Sequence, residues 1–377
     1  MKKGWEIKKL WECFKLKSGD MLSAKMMKEG NISVYGGNGI SGYHNVSNLQ
    51  GENIIIGRVG ALCGNVRLVS EKIWLTDNAF LITEYKFDFD KSFLTYLLNF
   101  KNLRSYARQA AQPVISNSSL NEVEISFPKS ITEQQRIVSI LDKCFSAIDK
   151  AKANAEQNLK NTKELFESYL QGVFENGNWE KIKLSDITSD ITDGDHLPPP
   201  KSENGLNFIT ISDINKTTHK IDFSDTFKVP KHYYDNLKPN RKPMKGDVLY
   251  TVTGSYGIPV LIEDNFAFCF QRHIGLIRPS NKLNSKLLFY WILSPQAISQ
   301  ANETATGTAQ KTVSLKSLRN FDFPNIPFKE QEIIVHQLDI LRAETQKLET
   351  VYKKKIANLD ELKKGILQKA FNKGDVK

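Results

Sequence analysis

Between Glu133 and Gly177 the apolar positions Leu141, Phe145, Ile148, Ala155, Leu159, Phe166, Tyr169 and Val173 return at spacings of four and three, with Lys152 and Thr162 filling the remaining steps. That alternation is the seam of a helix laid along another helix. The segment contains no proline and is rich in Lys, Glu, Gln, Ala and Leu, which suits a helix throughout. A second segment, Glu330 to Gly374, aligns with it without a gap. Glu133, Gln134, Ile137, Val138, Leu141 and Asp142 meet Glu330, Gln331, Ile334, Val335, Leu338 and Asp339, and the register still holds where Leu170, Gln171 and Phe174 meet Leu367, Gln368 and Phe371. A stripe through Leu341, Leu348, Tyr352, Leu359, Leu362 and Ile366 is expected to pack on Leu141, Phe145, Ile148, Leu159, Phe166 and Tyr169 of the first copy. Each helix runs for some forty residues, roughly 60 Å. A rod of that length with one apolar stripe needs a partner, and the other copy is the nearest one.

The material before each helix repeats more loosely. "GWEIKKL" is answered by "NWEKIKL", and "GENIIIGRVGALCGNVRLV" by "KGDVLYTVTGSYGIPVLI", which reads as two strands about a glycine-rich turn. Strand-like "AFLITEY" and "HIGLIRP" follow, then helix-like "KSFLTYLLNF" and "SKLLFYWILS", and "ISFP" and "FDFP" close each unit. The expected fold is therefore mixed α/β: two repeated globular units, residues 1–132 and 175–329, each followed by a long helix, 133–174 and 330–374, the helices pairing antiparallel in a pseudo-twofold arrangement. Between the matching scaffolds the loops diverge, which implies two sites of one kind recognising different things.

Composition narrows the class. Hydrophobic residues make up 40% and charged residues 25%, as in a folded protein, and no stretch approaches the length of a membrane span. The opening MKKGWEIKKLWECF lacks the unbroken apolar segment of a signal peptide, so a soluble intracellular protein is expected. A formal charge of +10 favours a polyanionic partner. Cys13, Cys63, Cys144 and Cys269 are scattered and read as reduced core residues, and the 6 histidines form no ligand motif.

Two apparent motifs dissolve on inspection. "GNGISG" satisfies GxGxxG through Gly37, Gly39 and Gly42, but a loop and a strand follow where a dinucleotide fingerprint requires a helix, so a hairpin is expected. Asp193, Asp195 and His196 in "TDGDH" suggest a metal or acid/base group; a solvated loop is the expectation, because no second ligand cluster accompanies them. No phosphate loop, nucleophile elbow or Asn-Pro-Pro-Tyr type methyltransferase motif occurs. What remains is polar and aromatic residues on turns, chemistry suited to duplex DNA. In the first half these are Lys25, Tyr35, Asn38, Tyr43, Arg58, Arg67, Arg104, Arg108 and Gln112. In the second they are Lys201, Thr210, Asp213, Thr253, Ser255, Tyr256, Gln271, Arg272, Gln310 and Lys311. A coiled-coil adaptor that binds other proteins instead of DNA is the rival reading these residues leave open.

The doubled Trp-Glu opening, "YGGNGISGY", "IIIGRVGALCGNV", "TDGDH", "GLNFITISDI", "GDVLYTVTGSYG" and above all "FPKSITEQQRIVSILD" with "FPNIPFKEQEIIVHQLD" resemble the specificity subunits of type I restriction-modification enzymes over essentially the whole chain. One departure is that Lys129-Ser130 and Asn325-Ile326 interrupt the Pro-Pro run that often precedes the Glu-Gln pair in that family. The resemblance implies two target recognition domains, each reading half of a split asymmetric DNA site, with the helices as spacer and docking element. It implies as partners double-stranded DNA, two methyltransferase subunits that modify adenine N6, and two restriction-translocase subunits, in a bacterial or archaeal cytoplasm. It also implies that the chain itself has no catalytic residues, metal or cofactor; S-adenosylmethionine, ATP and Mg would belong to the partner subunits.

Overall fold

The structure, a computed structural model, describes residues 4–108, 112–196 and 199–372. The chain divides into two compact units, residues 1–156 with 354–377, and residues 157–353. Each long helix is therefore shared: its first part belongs to one unit and its last part to the other.

In the first unit the strand Trp5–Lys9 pairs antiparallel with Glu124–Pro128, the strand that leads into the first long helix. An antiparallel sheet runs in the order Lys15–Ser18, Ala79–Thr83, Asn53–Gly57, Val66–Val69. A three-stranded sheet, Gly39–His44, Ile32–Gly36, Ile73–Leu75, has one parallel pair. The helix Lys91–Phe100 starts at Asp90, whose carboxylate accepts from Phe93 N.

The second unit repeats this plan strand for strand. Lys181–Lys183 pairs with Asp322–Pro324. The four-stranded sheet is Thr188–Asp193, Ile274–Pro279, Val248–Thr251, Pro259–Leu261, and the three-stranded sheet Lys228–Val229, Leu206–Ile209, Cys269–Phe270 again contains one parallel pair. The helix Ser285–Ile292 is capped by Asn284. An added hairpin, Ile214–Asn215 with Lys220–Ile221, distinguishes this unit. Its turn carries His219 at φ 57, with the imidazole edge-on to Phe289. Burial, aided by Arg342, lowers the pKa of His219 from its ordinary 6.5. The fold thus favours the neutral ring, whereas the unfolded chain takes up a proton first, so stability is lost as pH falls below 6.5 toward the lower folded-state pKa. Unfolding midpoints measured at pH 7.5 and at about pH 5.5 should lie closer together on replacing His219 with Gln; an unchanged gap would assign the pH dependence to another group.

The long helices span Ile131–Asn176 and Phe328–Phe371. The expected end of the second at residue 374 lies outside the described residues. The repeated Glu-Gln pair has a mechanical explanation. Gln134, fully buried, accepts from Asp90 N at 2.8 Å and donates to Pro128 O at 2.9 Å and Asp88 O at 3.2 Å. Gln331 does the same with Asn284 N at 2.7 Å, Ile326 O at 2.8 Å and Lys282 O at 2.9 Å. One amide thus ties the start of each long helix to the preceding strand and to the cap of the short helix. Tyr96 and Tyr290 add a second tie, each donating at 2.6 Å to the repeated aspartate, Asp142 or Asp339.

Helix pairing is antiparallel within the first unit, where Lys152 meets Asp360 at 2.7 Å and Asp149 meets Lys363 at 2.9 Å. Leu141, Phe145 and Ile148 are buried there, with Leu359 and Ile366 packed against the same cluster. In the second unit Phe166 packs on the core and Tyr169 donates to Gln337 at 3.1 Å. Leu159, Leu341 and Tyr352 are half-buried. Leu348 and Leu362, expected on the seam, are instead 39% and 51% exposed. The least exposed stripe of the second helix runs through buried Thr345 and half-buried Glu349, Tyr352, Ile356, Leu359, Lys363 and Ile366, spacings of four and three that match the first copy. Charged side chains at two steps hide it: Lys363 Nζ lies over the Phe145 ring at 5.0 Å.

Among the described residues no helix is long and apolar enough to cross a membrane. Cys13, Cys63 and Cys269 are buried, Cys144 is half-buried, and none is paired in a disulfide. Burial pushes the thiols of Cys13 and Cys269 up to about 12.

Candidate nucleic-acid interface

The glycine-rich segment forms the hairpin Ile32–Gly36/Gly39–His44. Its tip lies so close to the strand end after Gly57 that a Cβ on Gly37 would fall 1.9 Å from Val59 O. Only glycine permits that approach. Asn38 accepts from Leu62 N at 2.8 Å, so its side chain holds the adjoining loop. Leu22, Ser23, Gly39, Ser41, Asn78 and Gln112 are among the residues lining a cleft of about 490 Å³ beside this tip. Arg67 approaches Gly39 from the strand Val66–Val69, and its Nη1 is buried without a hydrogen-bond partner among the described residues.

The remaining residues expected at this surface divide between holding the fold and facing solvent. Arg58 donates through Nη1 to Asp77 O at 3.3 Å and Ser18 Oγ at 3.4 Å and lies over the Phe80 ring, while its Nε is buried without a hydrogen-bond partner among the described residues. Tyr35 donates to Glu71 at 3.1 Å; burial and that carboxylate raise its pKa, while a hydrogen bond from its own backbone, then the one from Tyr35, lowers that of Glu71. Arg104 donates to the carbonyl of Ala61. Lys25, Tyr43, Arg108 and Gln112 are exposed. Tyr43, at 57%, presents an aromatic face on the hairpin together with Ile40 at 52%.

In the second unit Thr210 and Asp213 close a capping box, with Thr210 N and Oγ1 both donating to Asp213 Oδ2 at 2.7 and 2.8 Å. Thr253 pairs with Thr312. Ser255 accepts from Lys216 Nζ at 2.7 Å, and Tyr256 donates to Asn302 at 2.9 Å. Gln271 is bridged through its backbone to Asp195. Lys201 lies over Phe227, and Arg272, Gln310 and Lys311 are exposed.

The TDGDH segment departs from the solvated loop expected of it. The side chains of Asp193 and Asp195 are 15% and 21% exposed, because Arg241 donates to both, at 3.2 and 3.4 Å. Tyr233 adds a bond to Asp195 at 3.1 Å, and His196 Nε2 lies 2.8 Å from Asp193. One fork-shaped cation thus gathers two carboxylates. Arg241 and Tyr233 lie some forty residues downstream in unpatterned sequence, and no local signal marks them. Among the described residues no group of three or more His, Cys, Asp or Glu side chains could hold a metal ion.

The α/β scaffold is thus duplicated, alike in its sheets and unlike in its loops, and those loops carry basic and aromatic side chains. The chain belongs to the family of the type I restriction modification DNA specificity domain, whose model matches residues 2–160 and 176–358. It is 32% identical over 170 residues to the EcoprrI specificity subunit of Escherichia coli, an alignment covering 42% of each chain. It is 23% identical over 285 residues to the EcoBI specificity subunit of the same species, covering 68% of this chain and 59% of that one. The chain thus spans about half the length of these two relatives. A chain from a structure addressing complex assembly and conformational transition of a type I R-M system has the same fold, with a TM-score of 0.77 at 20% identity over 100% of this chain and 99% of that one.

Proposed function

We propose that this chain supplies DNA sequence specificity to a type I restriction-modification enzyme. Each unit reads one half of a bipartite, asymmetric duplex site. The chain also scaffolds two adenine-N6 methyltransferase subunits and two restriction-translocase subunits, and it works in the cytoplasm of a bacterial or archaeal host. Catalysis, with S-adenosylmethionine, ATP and Mg, belongs to the partners; this chain supplies the address.

The observation that carries this reading is the contrast between the two units: the same sheets in the same order, the same Gln tie and the same Tyr–Asp tie, bearing unlike loops. A shared scaffold suits two copies of one partner, and unlike loops suit two unlike base sequences. The net charge of +10 suits a phosphate backbone.

The test is binding of the purified full chain to a fluorescent random-sequence duplex pool across a salt series. Log affinity should fall linearly with log salt, with a slope of about −4 or steeper. A protein-binding adaptor would give a slope near zero, and that outcome defeats the proposal. With labelled S-adenosylmethionine the chain alone should transfer no methyl group to DNA, and transfer should begin when the methyltransferase subunits are added.

A further inference from the structure

Loops that read different bases have to differ, so a residue that they share, and that the fold does not use, marks something common to both half-sites. The stretch ahead of each long helix allows this comparison. Bridges Val59–Val114 and Arg108–Val114 in the first unit correspond to Thr253–Thr312 and Thr306–Thr312 in the second. The clasp around them is repeated. Gly60 N donates to Pro113 O at 3.0 Å and Gly254 N to Lys311 O at 2.9 Å, while Ile115 N reaches Arg58 O and Val313 N reaches Val252 O, both at 2.9 Å. In this alignment Gln112 and Gln310 occupy the same place, immediately before the clasped carbonyl.

Other residues shared by the two stretches have structural duties. Ser116 with Ser119, and Ser314 with Ser317, cap short helices. Leu120 and Leu318 are both fully buried, and Ala107 and Ala305 pack against the two cores. Ala111, the partner of Ala309, lies outside the described residues. Gly60 and Gly254 hold φ of 100 and 71. Gln112 and Gln310 are exposed, and their side chains make no hydrogen bond among the described residues. The fold gives no reason for an identical amide at both places.

We propose that Gln112 and Gln310 are matched positioning contacts, each donating its side-chain N–H to a phosphodiester oxygen of the duplex at its own half-site. The inference rests on the DNA-reading function proposed above. Phosphate is what unlike sequences have in common, and contacts to it fix register without carrying sequence information. The neighbours fit an anionic oxygen: Arg104 and Arg108 stand close in sequence to Gln112, and exposed Lys311 follows Gln310. The clasp fixes the backbone beside each amide, as a register contact requires.

The test uses the full chain and a duplex carrying its recognised sequence, obtained by mapping methylated adenines in a strain that expresses the chain with its methyltransferase subunits. Gln112→Ala and Gln310→Ala should each weaken binding about tenfold, and the double variant about a hundredfold. The salt slope should not change, because no charge is lost; Lys311→Ala, as the contrast, should reduce it by about 1. The methylated motif should also be the same. In a methylphosphonate scan, one neutralised phosphate per half-site should weaken wild-type binding about tenfold and leave the matching Gln variant unaffected.

The inference is overturned by unchanged affinity in both variants, or by a motif relaxed at a single base pair, which would make the contact a base reading. A lowered unfolding midpoint would overturn it too, by giving the side chain a structural duty. Failure of the wild-type chain to bind duplex DNA in a salt-dependent way would instead defeat the function on which the inference rests.

Discussion

Removing residues 354–377 is expected to unfold the first unit, and replacing Phe371 alone with alanine to destabilise it, while the second unit stays native. Phe371 is 3% exposed, and its ring lies 5.5 Å from Phe93 and 5.6 Å from Phe100. Leu359, Ile366, Leu367 and Ala370 pack on the same cluster. A buried Phe→Ala change costs about 3–5 kcal/mol, against a typical domain stability of about 5–15 kcal/mol. Losing the whole segment also strips the partner from the seam at Phe145 and Ile148. Hydrogen exchange followed by mass spectrometry resolves the two units: peptides from residues 4–108 should lose protection and peptides from 199–345 should keep it. Equal protection in both units would show that the first unit stands without this segment.

The second large effect is expected at the buried glutamines. Gln134→Ala strands the Asp90 amide and the carbonyls of Pro128 and Asp88, and Gln331→Ala strands the corresponding set in the second unit. Each unsatisfied buried group costs about 1–3 kcal/mol, and the lost side-chain volume adds to this, so a loss of about 3 kcal/mol is expected for each variant. Glutamate should not rescue either position. It can still accept from the amide, but it turns a carboxylate toward two carbonyl oxygens where the amide nitrogen had donated. Urea unfolding monitored separately in each unit checks the assignment: each variant should lower the midpoint of its own unit. A drop below about 0.5 kcal/mol for alanine would mean that water replaces the amide at no cost.

The sequence revealed the duplication because both copies obey the same local rules. The gapless match from Glu133 to Gly177 onto Glu330 to Gly374 follows from helical periodicity, and the strand-turn-strand phrases before it follow from β-branched runs and glycines. Where local rules were masked, the reading slipped. The seam of the second helix passes through Glu349 and Lys363, so an apolar stripe drawn through Leu348 and Leu362 turns to solvent. At the candidate interface, residue type did not distinguish a side chain that faces outward from one that braces the fold. Asn38, Thr210 and Asp213 look alike in sequence to surface readers, yet their polar atoms are committed to Leu62 and to each other.

By itself, then, the sequence determined two α/β units of one kind, two long helices in matching register and a basic, polar loop set, because periodicity and turn chemistry act within a few residues. Tertiary structure alone decided that residues 354–371, far along the chain, complete the first unit and that Arg241 gathers Asp193 and Asp195 in the second. Those contacts join residues whose separation along the chain obeys no period, and only burial and hydrogen-bond satisfaction in the assembled core select them.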